Sequence, residues 1–191
     1  MSLLRMRDAT FAAGTVSAGP ITLDLDPGER TALHCASEKE AAIAALLASA
    51  IVKASSGCVL IGDYDPRVQS VHCKRIAALV PHEPFPLDEG EFARYIAYRA
   101  ALWNVSPQRA HAHAALLRKR LSGMHEAFAY PLIGALIGMP ELIVLDRPQP
   151  AYAAQILDAI AGRAVFSTHS DAAAARAFAG GAAEILWTKR A

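Results

Sequence analysis

Short apolar segments alternate with longer alanine-rich segments along this chain. Residues 142–145 (LIVL) and 164–167 (AVFS) are almost continuous apolar runs of strand length, which is typical of parallel strands buried on both faces. Residues 41–52 form a twelve-residue apolar run of helix length that is rich in alanine. Strands that alternate with helices predict an α/β fold with a mixed, mostly parallel sheet flanked by helices.

The middle of the chain has a helical pattern. We expect residues 87–108 to form a helix interrupted at Asn104 and Pro107, because proline lacks a backbone donor and clashes with the preceding turn. A second helix is predicted over residues 108–120. The length of 191 residues fits one domain, residues 1–191, in which residues 87–130 form a helical subdomain. On the second helix, His111 and His113 are two positions apart, so they point in different directions and are expected to be solvated.

Two polar residues follow the apolar strands. Asp146 comes directly after residues 142–145, and His169 comes two positions after residues 164–167. Ligands of parallel sheets usually bind at the carboxyl ends of the strands. Asp146 could hold Mg²⁺ or could end its strand in an ion pair with the adjacent Arg147. For His169 we favour a hydrogen-bonded structural role.

Residues 30–57 have the layout of a phosphate-binding strand, loop and helix, with a strand predicted over residues 31–33. A nucleotide-binding loop would read G-x-x-x-x-G-K-S/T here, because its glycines expose backbone N–H groups, its lysine neutralises phosphate and its hydroxyl binds Mg²⁺. The loop instead consists of Cys35, Ala36, Ser37, Glu38, Lys39, Glu40, Ala41 and Ala42. The scaffold of a phosphate site is therefore predicted to lack the groups that bind phosphate.

The pattern Ser37-x-x-Glu40 before the apolar run predicts a capping box. In that motif Ser37 accepts a hydrogen bond from the Glu40 N–H, and Glu40 accepts one from the Ser37 N–H. Glu38 and Glu40 would also place two carboxylates at the positive end of the helix dipole. A triphosphate approaching this helix end would meet like charge, so the loop is not expected to bind one.

Six further segments, taken in order, resemble the ATP-binding cassette of ABC transporters. They are residues 21–30, 55–63, 75–84, 121–123, 140–148 and 164–170. The resemblance covers nearly the whole chain and implies a P-loop-NTPase-like cassette fold in which the helical subdomain is shortened.

The resemblance also implies which catalytic groups are missing. Ala41 falls at the position of the Walker A lysine, and Ala42 at that of the hydroxyl that binds Mg²⁺. Asp146 matches the metal-side aspartate of Walker B, but Arg147 replaces the catalytic glutamate that follows it. His169 matches the switch histidine. The resemblance thus implies a degenerate cassette that lacks Walker A and is not expected to hydrolyse ATP.

Two other segments that resemble motifs of the family indicate which partners the chain contacts. Leu121, Ser122 and Gly123 match the first half of the signature motif, and in the family that motif completes the nucleotide site of a second, head-to-tail cassette. Ser122 is therefore a candidate donor to a phosphate held by a partner. His82 replaces the glutamine of the Q-loop, which in the family contacts the membrane subunit.

Composition narrows the classes of partner. The formal net charge is +1 and no basic stripe is visible, which argues against a nucleic-acid partner. Cys35, Cys58 and Cys73 have no C-x-x-C spacing, which favours a reduced, cytoplasmic protein. No apolar run reaches the roughly 18 residues of a membrane-spanning helix, so association with a membrane is expected only through a partner.

Together the sequence predicts a catalytically silent, cassette-like subunit of a membrane transport complex. Its expected partners are a permease, an active cassette, or both, in a homodimer or heterodimer. No metal site and no cofactor are expected, and ATP and Mg²⁺ would enter only by unconventional binding or on a partner. Two alternatives stay open at this point: a binding or regulatory module outside transport, and a transporter ATPase that binds nucleotide in another way.

Overall fold

A computed structural model of the chain, which describes residues 2–179 and 184–187, forms two β-sheets flanked by helices. The strands are β1 (Leu4–Ala13), β2 (Val16–Leu25), β3 (Arg30–His34), β4 (Ser56–Ile61), β5 (Ala77–Val80), β6 (Leu142–Asp146), β7 (Ala164–His169) and β8 (Glu184–Trp187). The helices are α1 (Glu38–Ala48), α2 (Ser70–Ile76), α3 (Glu89–Leu102), α4 (Pro107–Arg120), α5 (Glu126–Leu136), α6 (Ala153–Ala159) and α7 (Ala172–Ala179). The predicted α/β fold is confirmed.

The larger sheet is parallel and has the strand order β5-β6-β7-β3-β8. The carboxyl ends of its strands therefore meet at one edge, where Asp146 lies opposite Thr168 and His34 lies opposite His169. The apolar runs predicted as buried strands are confirmed, and β7 is buried along its whole length.

The antiparallel strands form a separate sheet with the order β2-β1-β4 instead of joining the parallel strands in one mixed sheet. One face of this sheet packs on α1, and the parallel sheet lies on the other side of that helix. Leu4, Met6, Leu25, Leu47 and Ile61 are fully buried in the core between these layers. The apolar run of α1 is explained by this position, since sheets cover it from two sides.

Helix α1 begins and ends earlier than the apolar run of residues 41–52 predicts. Ser37 is its N-cap, and the helix ends at Ala48. Ala50 has a φ of +58°, which ends the helical geometry, and the Ser49 Oγ donates to the Ala45 carbonyl at 2.8 Å. Val52 is apolar because it packs on the core after the helix has ended. The apolar pattern therefore continues past the end of the helix, because Val52 packs on the core.

A layer of helices covers the other face of the parallel sheet. Helices α3, α4, α5 and α6 share a core with β6 and β7. The break predicted near Asn104 and Pro107 is present, because Asn104 has a φ of +54° and Pro107 is the first residue of α4. No helix among the described residues is long and apolar enough to span a bilayer.

Candidate functional site at the carboxyl edge of the parallel sheet

The loop between β3 and α1 lies at the carboxyl edge, where the sequence places the phosphate-binding layout. The Cys35 N–H donates to the His169 carbonyl at 2.7 Å, which joins this loop to the end of β7. The Cys35 side chain is buried, and this burial, together with the charge of Glu40, raises the pKa of its thiol far above the ordinary value. Cys35 is thus a packing residue and not a nucleophile.

The start of α1 is capped by its own side chains. The Ser37 Oγ accepts from the Glu40 N–H at 3.2 Å, as predicted. The return bond differs from the prediction, because a Glu40 carboxylate oxygen accepts from the Ala36 N–H at 2.7 Å and not from that of Ser37. Ser37 has an extended backbone, which places the N–H of the preceding residue within reach. These two amides of the loop therefore already have carboxylate or hydroxyl partners.

Ala41 and Ala42, the two positions that the resemblance matches to Walker A side chains, have different surroundings. Ala41 is completely buried in the core, whereas Lys39 points to solvent. Ala42 is half-buried. The one lysine of the loop is therefore an exposed residue and does not occupy the position of Ala41.

Arg147 occupies the space between the α1 loop and the end of β6. Its Nε lies 2.9 Å from one Asp146 carboxylate oxygen, and its Nη2 lies 3.2 Å from the other. Its Nη1 reaches a carboxylate oxygen of Glu38 at 3.5 Å. The side chains of Arg147 and Asp146 are only 16% and 12% exposed. The ion pair considered from the sequence is thus present, and Arg147 extends it to α1.

The hydrogen bond to Asp146 raises the pKa of Arg147, burial opposes it, and the charges of Asp146 and Glu38 add to the rise. Arg147 also has a φ of +43°, and its N–H donates to the Thr168 carbonyl at 3.0 Å. Its backbone is therefore held by β7 while its side chain turns back to its neighbour. A fixed cation thus lies beside the carboxylate that matches the family's metal ligand.

His82 is joined to the same residue. Its Nδ1 lies 2.8 Å from the Arg147 carbonyl oxygen, and since a carbonyl only accepts, Nδ1 carries the proton. Beneath this contact is a cavity of about 30 Å³ whose lining includes Phe128, Leu132 and Tyr152. His82 thus links the loop after β5 to the end of β6.

His169 is buried, and its Nε2 lies 2.9 Å from the Ser167 Oγ. Its ring also packs on Phe178, with centroids 5.4 Å apart. Burial, reinforced by the nearby His34, lowers the pKa of His169 to about 4, against a small opposing effect of Asp171. These contacts are those of a neutral structural histidine.

Asp146 and His169 end neighbouring strands, but their side chains lie on opposite faces of the sheet. Alternate residues of a strand point to opposite faces. In β6, Val144 belongs to the core on the α1 side, which places Asp146 on that side. In β7, Val165 belongs to the core on the helical side, which places His169 there. The structure therefore brings the two residues to one edge without forming a joint site.

Sequence reasoning missed Thr168. Its hydroxyl is completely buried, and among the described residues it is the buried side-chain polar atom without a hydrogen-bond partner. It lies on the same face of the sheet as Asp146, next to it in register. A threonine inside an apolar strand gives no sequence signal that would separate it from a core residue.

The segment predicted to match half of the signature motif, Leu121–Ser122–Gly123, lies after α4. Leu121 is buried, Ser122 is exposed and Gly123 has a φ of +96°. Helix α5 begins at Glu126 and is capped by His125, whose Nδ1 accepts from the Ala127 N–H at 3.3 Å. Within residues 2–179 no hydrogen bond or ion pair joins Ser122 to the α1 loop.

Comparison with known proteins places this geometry in a fold. No family model matches the chain, and no curated protein matches it in sequence. Among solved structures, an ATP-binding subunit of an ABC transporter matches with a TM-score of 0.78 and 15% identity, over 99% of this chain and 89% of that one. The chain has the ATP-binding-cassette fold.

Two further cassettes match over most of the chain. The cassette MJ0796, in a dimeric post-hydrolysis state bound to ADP and Pi, has a TM-score of 0.71 and 14% identity over 97% of this chain and 94% of that one. CbiO1 of Clostridium perfringens, part of the complex CbiONQ, has a TM-score of 0.68 and 14% identity over 89% of this chain and 79% of that one. At these identities the likeness establishes the cassette fold alone.

Proposed function

We propose that this chain is a catalytically silent cassette subunit of a membrane transport complex. The observation that supports the proposal best is the position of Arg147. Its guanidinium bridges Asp146 and Glu38, at the point where the fold would otherwise bring a metal-binding carboxylate to the phosphate loop. The protein's own cation therefore pairs with the Asp146 carboxylate and partly offsets the charge of Glu38 without nucleotide or metal.

The chemistry of phosphoryl transfer explains why this arrangement is silent. Transfer depends on positioning and on electrostatic stabilisation of the transferred phosphate. Here Ala41 supplies no cation, Ala42 supplies no hydroxyl for Mg²⁺, and Arg147 supplies no base for the attacking water. Each loss removes a different contribution to catalysis, and the first turn of α1 adds the negative charges of Glu38 and Glu40. No cofactor is needed for the proposed role.

The partner we propose is a permease, an intact cassette, or both. Two of the matching structures support an assembly, since CbiO1 is part of a transporter complex and MJ0796 is dimeric. The chain would then lie at the cytoplasmic face of a membrane, held there by its partner. His82 is the residue we assign to contact with a permease, because it lies in the loop between β5 and α3 and is joined to Arg147.

Measuring nucleotide binding is the direct test of the proposed catalytic silence. A ligand at about 100 times its dissociation constant stabilises a protein by roughly 2.7 kcal/mol. We expect millimolar MgATP to leave the melting temperature of the purified chain unchanged, with an intact cassette as the positive control. Binding of MgATP at sub-millimolar affinity would favour an ATPase that holds nucleotide unconventionally and would overturn the proposal.

Partner capture tests the second half of the proposal. The tagged chain, purified from its native host in mild detergent, is expected to retain a membrane permease or an intact cassette. His82→Glu should weaken retention of the permease, and Glu83→Gln, at the exposed neighbouring position, should not. Recovery of neither partner would favour a regulatory module outside transport.

A further inference from the structure

A second charged feature lies on α4, away from the carboxyl edge. His113, Lys119 and Arg120 line an open groove together with Leu116 and Leu117. Arg163, which immediately precedes β7, is close enough for its charge to act on His113. We call these four cationic or titratable side chains and two leucines the α4 groove cluster. Arg163 places the cluster at the amino end of β7, whereas the Arg147 bridge lies at the carboxyl end of the sheet.

The charge of Arg120 acts on both Arg163 and His113, and the charge of Arg163 acts on His113. Burial, followed by the charges of Arg163 and Arg120, lowers the pKa of His113. Burial, followed by the charge of Arg120, lowers the pKa of Arg163. His113 is half-buried in the wall of the open groove and is thus less solvated than predicted, whereas His111 is exposed as predicted. The histidine differs from its neighbour because it faces the groove.

No carboxylate balances this charge within residues 2–179. Lys119, Arg120 and Arg163 form no ion pair with an acidic residue there. Arg118 shows the contrast, because it is paired with both Glu89 and Glu126.

The dipole of α4 favours cations in its last turn and so accounts for part of the cluster. It does not account for His113 in the middle of the helix, nor for Arg163 on another segment. Arg163 is half-buried without an anion among the described residues, which costs free energy, whereas Lys119 and Arg120 are exposed. An anion that enters the groove beside Arg163 would therefore be stabilised.

The groove also offers apolar surface. Leu116 is 65% exposed, and Leu117 forms the buried wall beneath it. The volume of about 520 Å³ is within the range of sites for small organic ligands. A ligand that uses the whole groove therefore combines an anionic group with an apolar body. The guanidinium of Arg120 suits a phosphate group in particular, because its N–H fork can bind two phosphate oxygens at once.

We propose that the α4 groove cluster binds a phosphate group carried on an apolar body. Arg120 and Lys119 contact the phosphate, Arg163 supports it from the adjacent segment, and Leu116 contacts the apolar part. The proposal is independent of the proposed transport role, since none of these residues belongs to the carboxyl edge. The phosphate could belong to a soluble compound or to the headgroup of an anionic lipid.

The test measures binding of octyl phosphate, below its critical micelle concentration, to the full chain by calorimetry, with octanol and inorganic phosphate as partial probes. We expect saturable binding of octyl phosphate that is tighter than that of either part. Arg120→Gln should weaken it by about tenfold or more, the equivalent of one charge-assisted hydrogen bond. Arg163→Gln should weaken it as well.

Arg94→Gln is the matched control, because Arg94 is an exposed arginine of α3 and the variant makes the same change of charge. Its binding should equal that of the wild type. Absence of saturable binding, or equal weakening by Arg94→Gln and Arg120→Gln, would overturn the proposal. Melting temperatures of the variants establish that each is folded before binding is compared.

A second experiment, with lipid vesicles, distinguishes a lipid headgroup from a soluble compound as the source of the phosphate. The chain is mixed with phosphatidylcholine vesicles that contain phosphatidic acid, and the vesicles are sedimented. The site binds a lipid headgroup if the wild type sediments with these vesicles, if Arg120→Gln does not, and if vesicles of phosphatidylcholine alone do not retain the chain. Binding of octyl phosphate without such sedimentation assigns it to a soluble phosphate. Sedimentation that the Arg120→Gln and Arg163→Gln variants retain in full would show that the groove is not the site.

Discussion

At the scale of single residues, Arg147 connects segments that are distant in the chain. Its side chain joins the end of β6 to the start of α1, its N–H joins the end of β7, and its carbonyl joins His82. These contacts exist because the positive φ of Arg147 turns the chain back toward Asp146. Arg147, which we propose replaces the catalytic base, is thus also a structural link.

Arg147→Ala should therefore destabilise the protein by about 1–3 kcal/mol, because it leaves the Asp146 carboxylate nearly buried without its partner. Urea denaturation gives the free energy of unfolding. Arg67→Ala is the control, since Arg67 forms an equally close pair with Asp65 but is 49% exposed. Its effect should be much smaller. Equal losses of unfolding free energy in the two variants would show that burial gives the Arg147 pair no additional effect on stability.

The lowered pKa of His169 predicts how the stability of the protein depends on pH. Its folded pKa of about 4 lies below the ordinary value of 6.5, so in this interval the unfolded chain binds more protons than the folded one. The stabilising effect of the neutral ring is therefore complete above pH 6.5 and is lost as the pH falls toward 4. The slope contributed is at most roughly 1.4 kcal/mol per pH unit.

His169→Gln should remove this contribution, so its free energy of unfolding should fall less than that of the wild type between pH 7 and pH 4. His111→Gln, which changes an exposed histidine, should follow the wild-type curve. Carboxylates titrate over the same interval in all three proteins, so the difference between the curves is the measurement. Parallel curves for His169→Gln and the wild type would contradict the assignment.

At the scale of elements, α1 shows how a cap fixes the start of a helix. Ser37 and Glu40 hold two amides of the loop, and Glu38 and Glu40 place negative charge at the helix N-terminus. We expect Glu40→Ala to lower the free energy of unfolding by about 0.5–2 kcal/mol through loss of this cap. Lys39→Ala, an exposed change in the same turn, should have little effect. A wild-type melting temperature for Glu40→Ala would contradict the cap.

The packing of α5 on α3 depends on a glycine. A Cβ built on Gly134 would lie 2.3 Å from the Tyr95 ring, which is half-buried between these helices. Gly134→Ala should therefore destabilise the protein by about 1–3 kcal/mol, although alanine is the better helix former. Gly90→Ala, also in a helix, meets only side-chain atoms at 3.3 Å or more and should be neutral or stabilising. The reverse order of melting temperatures would show that Tyr95 moves aside freely.

At the scale of the whole molecule, the cassette fold separates the Arg147 bridge from the signature segment. We propose that in a head-to-tail pair the segment Leu121–Ser122–Gly123 faces the nucleotide of a partner rather than the chain's own loop. Ser122 is exposed, and the helix behind it begins at Glu126. Under this proposal two unlike subunits form one working site, and the second site is silent.

The prediction at this scale uses the reconstituted complex with an intact cassette. Ser122→Arg should lower the ATPase rate of the partner strongly while the complex still assembles, because a bulky cation replaces a small donor beside the phosphate. Ala112→Arg in the middle of α4, where the side chain is also exposed, is the control for added charge. An unchanged rate in Ser122→Arg would leave this chain as a scaffold only.

The sequence by itself determined the alternation of strands and helices, because buried parallel strands need continuous apolar runs and a helix break needs residues such as Asn104 and Pro107. It also determined that the loop of residues 35–42 has no glycine and that residues 41 and 42 carry neither an amine nor a hydroxyl, and the proposed chemical losses rest on these residues. The order of six weak segments then gave the cassette fold. The end of α1 was not determined, because Ala50 and Val52 continue the apolar pattern through packing and not through helix formation.

Only the tertiary structure decided which residues meet. Glu38 and Arg147 lie 109 positions apart, and no local pattern pairs them. The same holds for the bond between His82 and the Arg147 carbonyl, and for the position of Arg163 beside His113. Asp146 and His169 could be assigned to one edge of the sheet from the sequence. That their side chains lie on opposite faces became clear only from which residues of β6 and β7 pack in each of the two cores. The physical reason is common to all of these: propensity acts over a few residues, whereas a site is formed by side chains that the sheet brings together.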